Sequence, residues 1–443
     1  MATCFKELPI FTALRRHLSN KLSHKLSNDA LLRNGDFMRY WSSSILNGFG
    51  SYISALALPL CSVLLLHATP AQMGMLGASA AIPFALLALP AGVFLDRNRK
   101  LPVLLGSKAV MAVTLGSIPL AYWLGLLSIE WMYVVSFIGG ACSVVGGGAE
   151  QIFLTNLIGR DRLTDAQSKF AATDSAARLI APGIAGILIQ WLTAPFAMLV
   201  NAVGFVISIL LLRNLNATDP KPAPSHKHPL RDIHDGLLFI WGQPLLRTLA
   251  WGAGVWHMLF YGFTALSVLF ATRELGMTAG MLGAAQMIGG VGVLMSSLLL
   301  KPLNTRFGAG VTMQIGLGLT AFAFAAMPMI PANLFGSPTA SAVACGGLSL
   351  FLDCGVMLFF MPYMTMRQKV TPDAYLGRMV STMRFLTVAT APLGALTAGY
   401  IGEHFSIRTG MACVAVGGIA LSVAMALSSA MRNAQHQAAP ATS

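Results

Sequence analysis

Twelve apolar runs, each long enough to cross roughly 30 Å of hydrocarbon, follow one another along the chain and leave little room for anything else. They read at about 40–66, 73–95, 101–124, 129–154, 168–192, 195–212, 246–271, 278–300, 308–330, 340–366, 379–401 and 406–429. A helix satisfies its own backbone hydrogen bonds, so lipid-embedded segments of this length predict an all-α membrane bundle. The polar remainder is too small for a soluble fold. Of the 443 residues 55% are hydrophobic and 10% charged, against roughly a quarter charged in ordinary soluble domains. The gaps between runs five and six and between eleven and twelve are the shortest, so any merger is expected there.

The net charge of +13 would suit nucleic acid, but its distribution argues against that partner. The basic residues collect in every second gap. They are Lys6, Arg15, Arg16, Lys21, Lys25, Arg33 and Arg39 before span one, Arg97, Arg99 and Lys100 after span two, and Arg160, Arg162 and Lys169 after span four. Arg213, Lys221, Lys227, Arg231 and Arg247 follow span six, then Lys301 and Arg306, then Arg367, Lys369 and Arg378, with Arg432 in the tail. These are 24 of the 29 Lys and Arg; the opposite gaps hold only Arg273 and Arg408. The positive-inside rule then puts both termini in the cytoplasm, which requires an even number of spans. Residues 1–39 form a basic cytoplasmic segment with no cleavable signal pattern, in which Phe11 to Leu26 reads either as a basic amphipathic helix or as a disordered tail. The six cysteines are scattered singly, so neither a disulfide framework nor a metal site is indicated. No cofactor is called for.

The chain divides in the middle. Residues 213–245 contain Asp219-Pro220-Lys221-Pro222-Ala223-Pro224 and read as a cytoplasmic linker ending in a surface helix. The flanking stretches, 40–212 and 246–430, resemble each other, and 431–443 is a short tail. Gly74-Met75-Leu76-Gly77-Ala78 recurs as Gly280-Met281-Leu282-Gly283-Ala284. Trp41 and Trp251, Pro182 and Pro392, and Thr155 and Thr365 each stand 210 residues apart. With the pentapeptide repeating after 206 residues, a shift this nearly constant indicates duplication. Two six-helix halves with pseudo-twofold symmetry are the layout of a secondary transporter, with substrate held between them near midplane.

The gap after span two reads Gly92-Val93-Phe94-Leu95-Asp96-Arg97-Asn98-Arg99-Lys100. It resembles the signature loop of the major facilitator superfamily, although the glycine usual before the basic pair is missing. The resemblance runs from Leu31 to about Met431. It is nearest to the drug–proton antiporter branch that includes macrolide effluxers and siderophore exporters, through stretches such as Leu32-Arg33-Asn34-Gly35-Asp36-Phe37 and Ala57-Leu58-Pro59-Leu60. The resemblance implies that this loop latches the halves in one state, with Gly92, Asp96, Arg97, Arg99 and Lys100 as its parts and lipid headgroups as contacts of the basic residues; Arg384, near the start of span eleven, is a candidate partner for Asp96 across the halves. Span five carries Ala181-Pro182-Gly183-Ile184-Ala185-Gly186, similar to the antiporter motif, with Pro182, Gly183 and Gly186 matching and Ala181 departing. Ser51 stands where the family commonly has Asp, a second departure.

Ionisable side chains inside spans are costly and point to function by default. Asp353, in the middle of span ten, is the first candidate for a proton-binding or cation-binding carboxylate. Glu150 in span four reads equally as a coupling group or as a solvated or paired one. Asp174 is a further coupling candidate, but it stands i,i+4 from Arg178 in span five, where pairing accommodates both. Lys108 is expected to snorkel to the near interface. His257 is a second titrating candidate, or a neutral hydrogen-bonded histidine; Asn47 is its counterpart in the repeat. Asn47, Tyr52, Trp256 and Tyr261 are expected to line the substrate cavity. The function expected is export of a small amphiphilic molecule, driven by the proton gradient, from a monomer in a bacterial inner membrane. Symport uptake of a nutrient or lipid is the alternative. An enzyme or sensor is a third class, against which stand the absence of H-E-x-x-H and G-x-S-x-G motifs and of a sizeable soluble domain.

Overall fold

The computed structural model describes residues 31–159, 161–215, 219 and 229–431. The stretch Phe11 to Leu26 therefore lies outside the described residues, as does most of the Pro-rich linker. The protein is an all-helical membrane protein. Spans one to six are Gly35–Leu64, Pro70–Arg97, Lys100–Trp123, Ile129–Ile158, Leu163–Leu192 and Ala194–Arg213. A linker helix, Pro229–Gly242, precedes span seven, Pro244–Leu269. One continuous helix, Ala279–Ala326, follows, then Pro338–Lys369, the pair Asp373–Val388 and Ala391–His404, and Ile407–Leu427. Eleven described helices are thus long and apolar enough to cross a membrane.

The merger falls where the gap lengths did not put it. Gly308 sits inside Ala279–Ala326 with φ 81° and ψ 165°, a conformation that breaks the helix and that glycine adopts without steric cost. Spans eight (279–307) and nine (309–326) are therefore two crossings joined by one residue, which makes twelve. Spans five and six stay distinct through a single residue as well: Thr193 takes φ 71° between them, a strained choice for a β-branched side chain. Span one starts at Gly35, earlier than its apolar run, because the Asn34 side chain accepts from the backbone N–H groups of Asp36 and Phe37 at 3.0 and 3.2 Å. Thr69 and Thr278 cap spans two and eight in the same way, a further trace of the duplication.

Spans one to six pack on one another, as do spans seven to twelve. The two bundles meet where span two crosses span eleven and span five crosses span eight. We call the side where span one begins the near face and the other the far face. Both crossings are tightest toward the far face and run through the duplicated pentapeptide. A side chain on Gly74 would fall on the Ala395 carbonyl and on Gly399, and one on Gly283 would fall on the Pro182 carbonyl and Gly186. Small residues let the backbones touch, which is how helices associate in lipid. Arg273 donates to the Ala68 carbonyl at 2.8 Å and the Ala71 N–H donates to Glu403 at 3.2 Å, so loops of the two halves are tied at the same face.

The linker helix docks against the beginning of span eleven: Phe239 stacks on Tyr375 at 4.8 Å and Asp235 pairs with Arg378 at 3.6 Å. Leu238 and Trp241 stay exposed on it.

Candidate functional site

Behind the far-face crossings lie connected cavities. The first, about 240 Å³, lies between the halves and is lined by Tyr52, Arg178 and Pro182 from one and by Gln286, Ser349 and Asp353 from the other. Asp353 reaches it because Gly289 on span eight has no side chain; a Cβ there would collide with the Asp353 carboxylate. Among the described residues that carboxylate has no hydrogen-bond or ion-pair partner. Arg178 faces the same space. Its Nε lies 3.8 Å from Asp174 Oδ2, its guanidinium 5.7 Å from the Tyr52 ring centre, and the Tyr52 hydroxyl donates to Asp174 Oδ1 at 3.1 Å. The expected i,i+4 pair is therefore present, but it is also a cavity wall that turns a cation toward Asp353.

A second cavity, about 490 Å³, lies inside the N-terminal half toward the near face. Asn47, Ser51, Glu150, Gln167 and Asp174 line it. The Ser44 hydroxyl donates to Glu150 Oε1 at 3.0 Å. Asn47 donates to Ser208 at 3.3 Å, while its Oδ1 is buried without a partner. A third cavity, about 250 Å³, adjoins it and shares Asn47, Ser51 and Glu150. Here stands Lys108, which does not snorkel. It is 4% exposed and its side chain lines this cavity opposite Glu150. Eight residues of helix separate it from Lys100, about 12 Å along the axis, too deep for the side chain to regain the interface. That depth was the available sequence signal for Lys108. A fourth cavity, about 520 Å³, is mainly apolar and lies between the halves, with Leu58, Met73, Leu76, Leu115 and Tyr261 in its wall.

The remaining expected residues fall elsewhere. Trp256 is buried in an aromatic stack with Phe260, Phe359 and Phe360 and lines none of these four cavities. These three ring contacts hold it in the core, so it walls none of these cavities, contrary to expectation. His257 packs against Phe360, and its Nδ1 lies 2.8 Å from the Ala253 carbonyl one turn earlier, which engages that nitrogen away from the cavities. Arg384 lies over the Phe84 ring at 5.7 Å, and Asp96 is exposed without an ion pair among the described residues, so the expected cross-half partnership is absent in this state. Gly92, Arg97 and Arg99 are exposed. Lys100 is buried and caps the end of span two, donating to the Leu95 and Asn98 carbonyls, which turns it inward rather than toward headgroups. In span five, Gly186 and Pro182 form the crossing with span eight and Gly183 meets the Met287 thioether, so this motif is a packing surface here. Arg178, Gln286 and Ser349 are cavity residues that the sequence reading did not single out as such.

Known proteins resemble the whole of this arrangement. The chain is 25% identical over 391 residues to the multidrug efflux pump Tap of Mycolicibacterium fortuitum, covering 84% of this chain and 90% of that protein. It is 24% identical over 334 residues to the enterobactin exporter EntS of Citrobacter koseri, covering 75% and 76%. Among solved structures, the nucleoside transporter NupG superposes with a TM-score of 0.73 at 14% identity, over 90% of this chain and 99% of that one. A bacterial homologue of ferroportin in an inward-facing state superposes with a TM-score of 0.69 at 18% identity, over 90% and 100%. At such identities the likeness establishes the fold. Residues 40–391 match the model of the Major Facilitator Superfamily; with twelve crossings in two bundles around central cavities, the chain belongs to that superfamily of non-enzymatic membrane transporters.

Proposed function

We propose that this transporter exports a small amphiphilic molecule, such as a drug, a macrolide-like compound or a siderophore, by proton-coupled alternating access across a bacterial inner membrane. The observation that carries the reading is the unpartnered Asp353 carboxylate facing Arg178 across a cavity between the halves. A carboxylate at membrane depth changes its charge by binding a proton, and a cation on the opposite half makes that change felt as attraction or its loss between the halves. Asp353 is the principal proton site, with Glu150 and Asp174 assisting. The near face, rich in Lys and Arg, is cytoplasmic, so both termini lie inside. The far-face crossings then seal the outer side, and the cavities receive substrate from the cytoplasm. The exposed Asp96 of the loop after span two engages its latch when the near face closes. The working unit is a monomer of two halves, 40–212 and 246–430, joined by 213–245. The names of the relatives Tap and EntS favour export over uptake.

Proteoliposomes with an imposed proton gradient test this, using a macrolide, a cationic dye and a catecholate siderophore as trial substrates. Movement of at least one should follow the gradient and fall roughly 5- to 150-fold in Asp353→Asn, the range of a typical coupling energy. Movement indifferent to the gradient, or unchanged in Asp353→Asn, overturns the reading.

A further inference from the structure

Lys108 is the least explained charge in the protein. It is 4% exposed, sits well inside span three, and has neither a hydrogen bond nor an ion pair among the described residues. A buried charge without a partner is strongly unfavourable, so such a group persists where something else meets it. Its cavity supplies two more unfinished groups. The buried Asn47 Oδ1 is unpartnered, and the Glu150 carboxylate accepts from Ser44 but has no cation within ion-pair distance among the described residues. Lysine and glutamate therefore both line a space of about 250 Å³ without forming a salt bridge.

A single negative group placed on Lys108 would leave Glu150 unbalanced. A single positive group on Glu150 would do the same to Lys108. A ligand carrying both charges satisfies both poles with no net charge added to the membrane interior. The cavity is also not closed. Ser51, Met111 and Ser143 line both it and the apolar cavity of about 520 Å³ between the halves. A polar head between Lys108 and Glu150 thus has an apolar space beside it for the rest of the molecule.

We infer that the N-terminal half holds a head-group site for a zwitterionic amphiphile: an anionic group on Lys108, a cationic group on Glu150, and an apolar body extending past Ser51 into the cavity between the halves. The inference rests on the export reading and names its substrate class. It also supplies competition, since the cationic end and a proton exclude each other at the Glu150 carboxylate.

The test is equilibrium binding to the purified full chain in nanodiscs, with no gradient, using three fluorescent probes that share a dansyl body. Dansylcadaverine carries a cation, dansylglycine an anion, and Nε-dansyl-lysine both. The expected order is Nε-dansyl-lysine tightest, by about tenfold over either single-charge probe, as one satisfied charge pair is worth. Lys108→Gln should weaken Nε-dansyl-lysine and dansylglycine about tenfold and leave dansylcadaverine unchanged; Glu150→Gln should weaken Nε-dansyl-lysine and dansylcadaverine and spare dansylglycine. Equal binding of the three probes, or dansylglycine binding as tightly as Nε-dansyl-lysine, overturns the inference, as does a Lys108→Gln variant that weakens all three alike. The ranking on the unmodified protein needs no variant, so it decides the matter even where Lys108→Gln does not fold. If the ranking fails while Asp353→Asn still abolishes gradient-driven movement, only the head-group site falls. If the ranking holds while movement ignores the gradient, only the proton coupling falls.

Discussion

The two halves share repeated sequence and six-helix bundles, yet they differ in what they bury. The N-terminal half carries Lys108, Glu150, Asp174 and Arg178 along its cavities. The C-terminal half offers those cavities one charged side chain, Asp353, beside neutral ones such as Gln286 and Ser349, and packs rings behind them, Trp256 against Phe260, Phe359 and Phe360, and Phe359 against Tyr363. Duplication preserved the contact surface, since both copies of the pentapeptide still form crossings between halves. The chemistry was not preserved: Asn47 faces two polar cavities while its counterpart His257 packs against rings. A symmetric frame thus carries one half lined by four charged groups and one that sets a single carboxylate, Asp353, beside a cluster of rings.

This contrast can be broken by experiment. The largest effect on stability should come from Trp256→Ala, about 3–5 kcal/mol from the cavity left among the rings, read as a fall in melting midpoint in detergent. Where folded, the variant should keep its dependence on the proton gradient; loss of that dependence would mean the ring cluster does more than hold the helices around Asp353. Arg178→Gln comes next. With Arg178 about a third exposed, removing the cation between Asp174 and Asp353 should cost about 2 kcal/mol, below the figure for a fully buried pair. Adding Asp353→Asn should recover part of that loss, because it removes the carboxylate left unbalanced. Double-mutant additivity in the melting midpoint would show that the two residues are not coupled. The smallest effect belongs to Arg384→Gln, at about 0.5–1 kcal/mol for the contact with Phe84. It should match Phe84→Leu and be insensitive to Asp96→Asn; a dependence on Asp96 would show the latch engaged in this state.

The apolar runs predicted the crossings because lipid forces each to be a helix of fixed minimum length. Their joints were harder to read. Thr193 and Gly308 each turn the chain with one residue, and such a turn is set by backbone conformation that hydropathy does not record. Among site residues, Asp353 was legible as a lone carboxylate in an apolar run. The role of Arg178 was hidden, since the i,i+4 spacing with Asp174 already accounted for it and the facing Asp353 lies far away in the chain. Trp256 misled for the opposite reason: an aromatic beside a histidine looks the same in sequence whether it faces substrate or neighbouring rings. Duplication was visible in Gly74 to Ala78 and Gly280 to Ala284, but only the packing gave those glycines a task.

The one-residue joints at Thr193 and Gly308 have a mechanical consequence. Spans five and eight form one of the two main crossings between the halves, and each is joined to its neighbour, six or nine, by a single residue. Span five is fastened at the end where it meets span eight; span eight is fastened at its opposite end. Opening that contact loads one helix at its clamped end and the other at its free end. Pro182, which removes a backbone hydrogen bond from span five close to that contact, makes this the weaker of the two helices there.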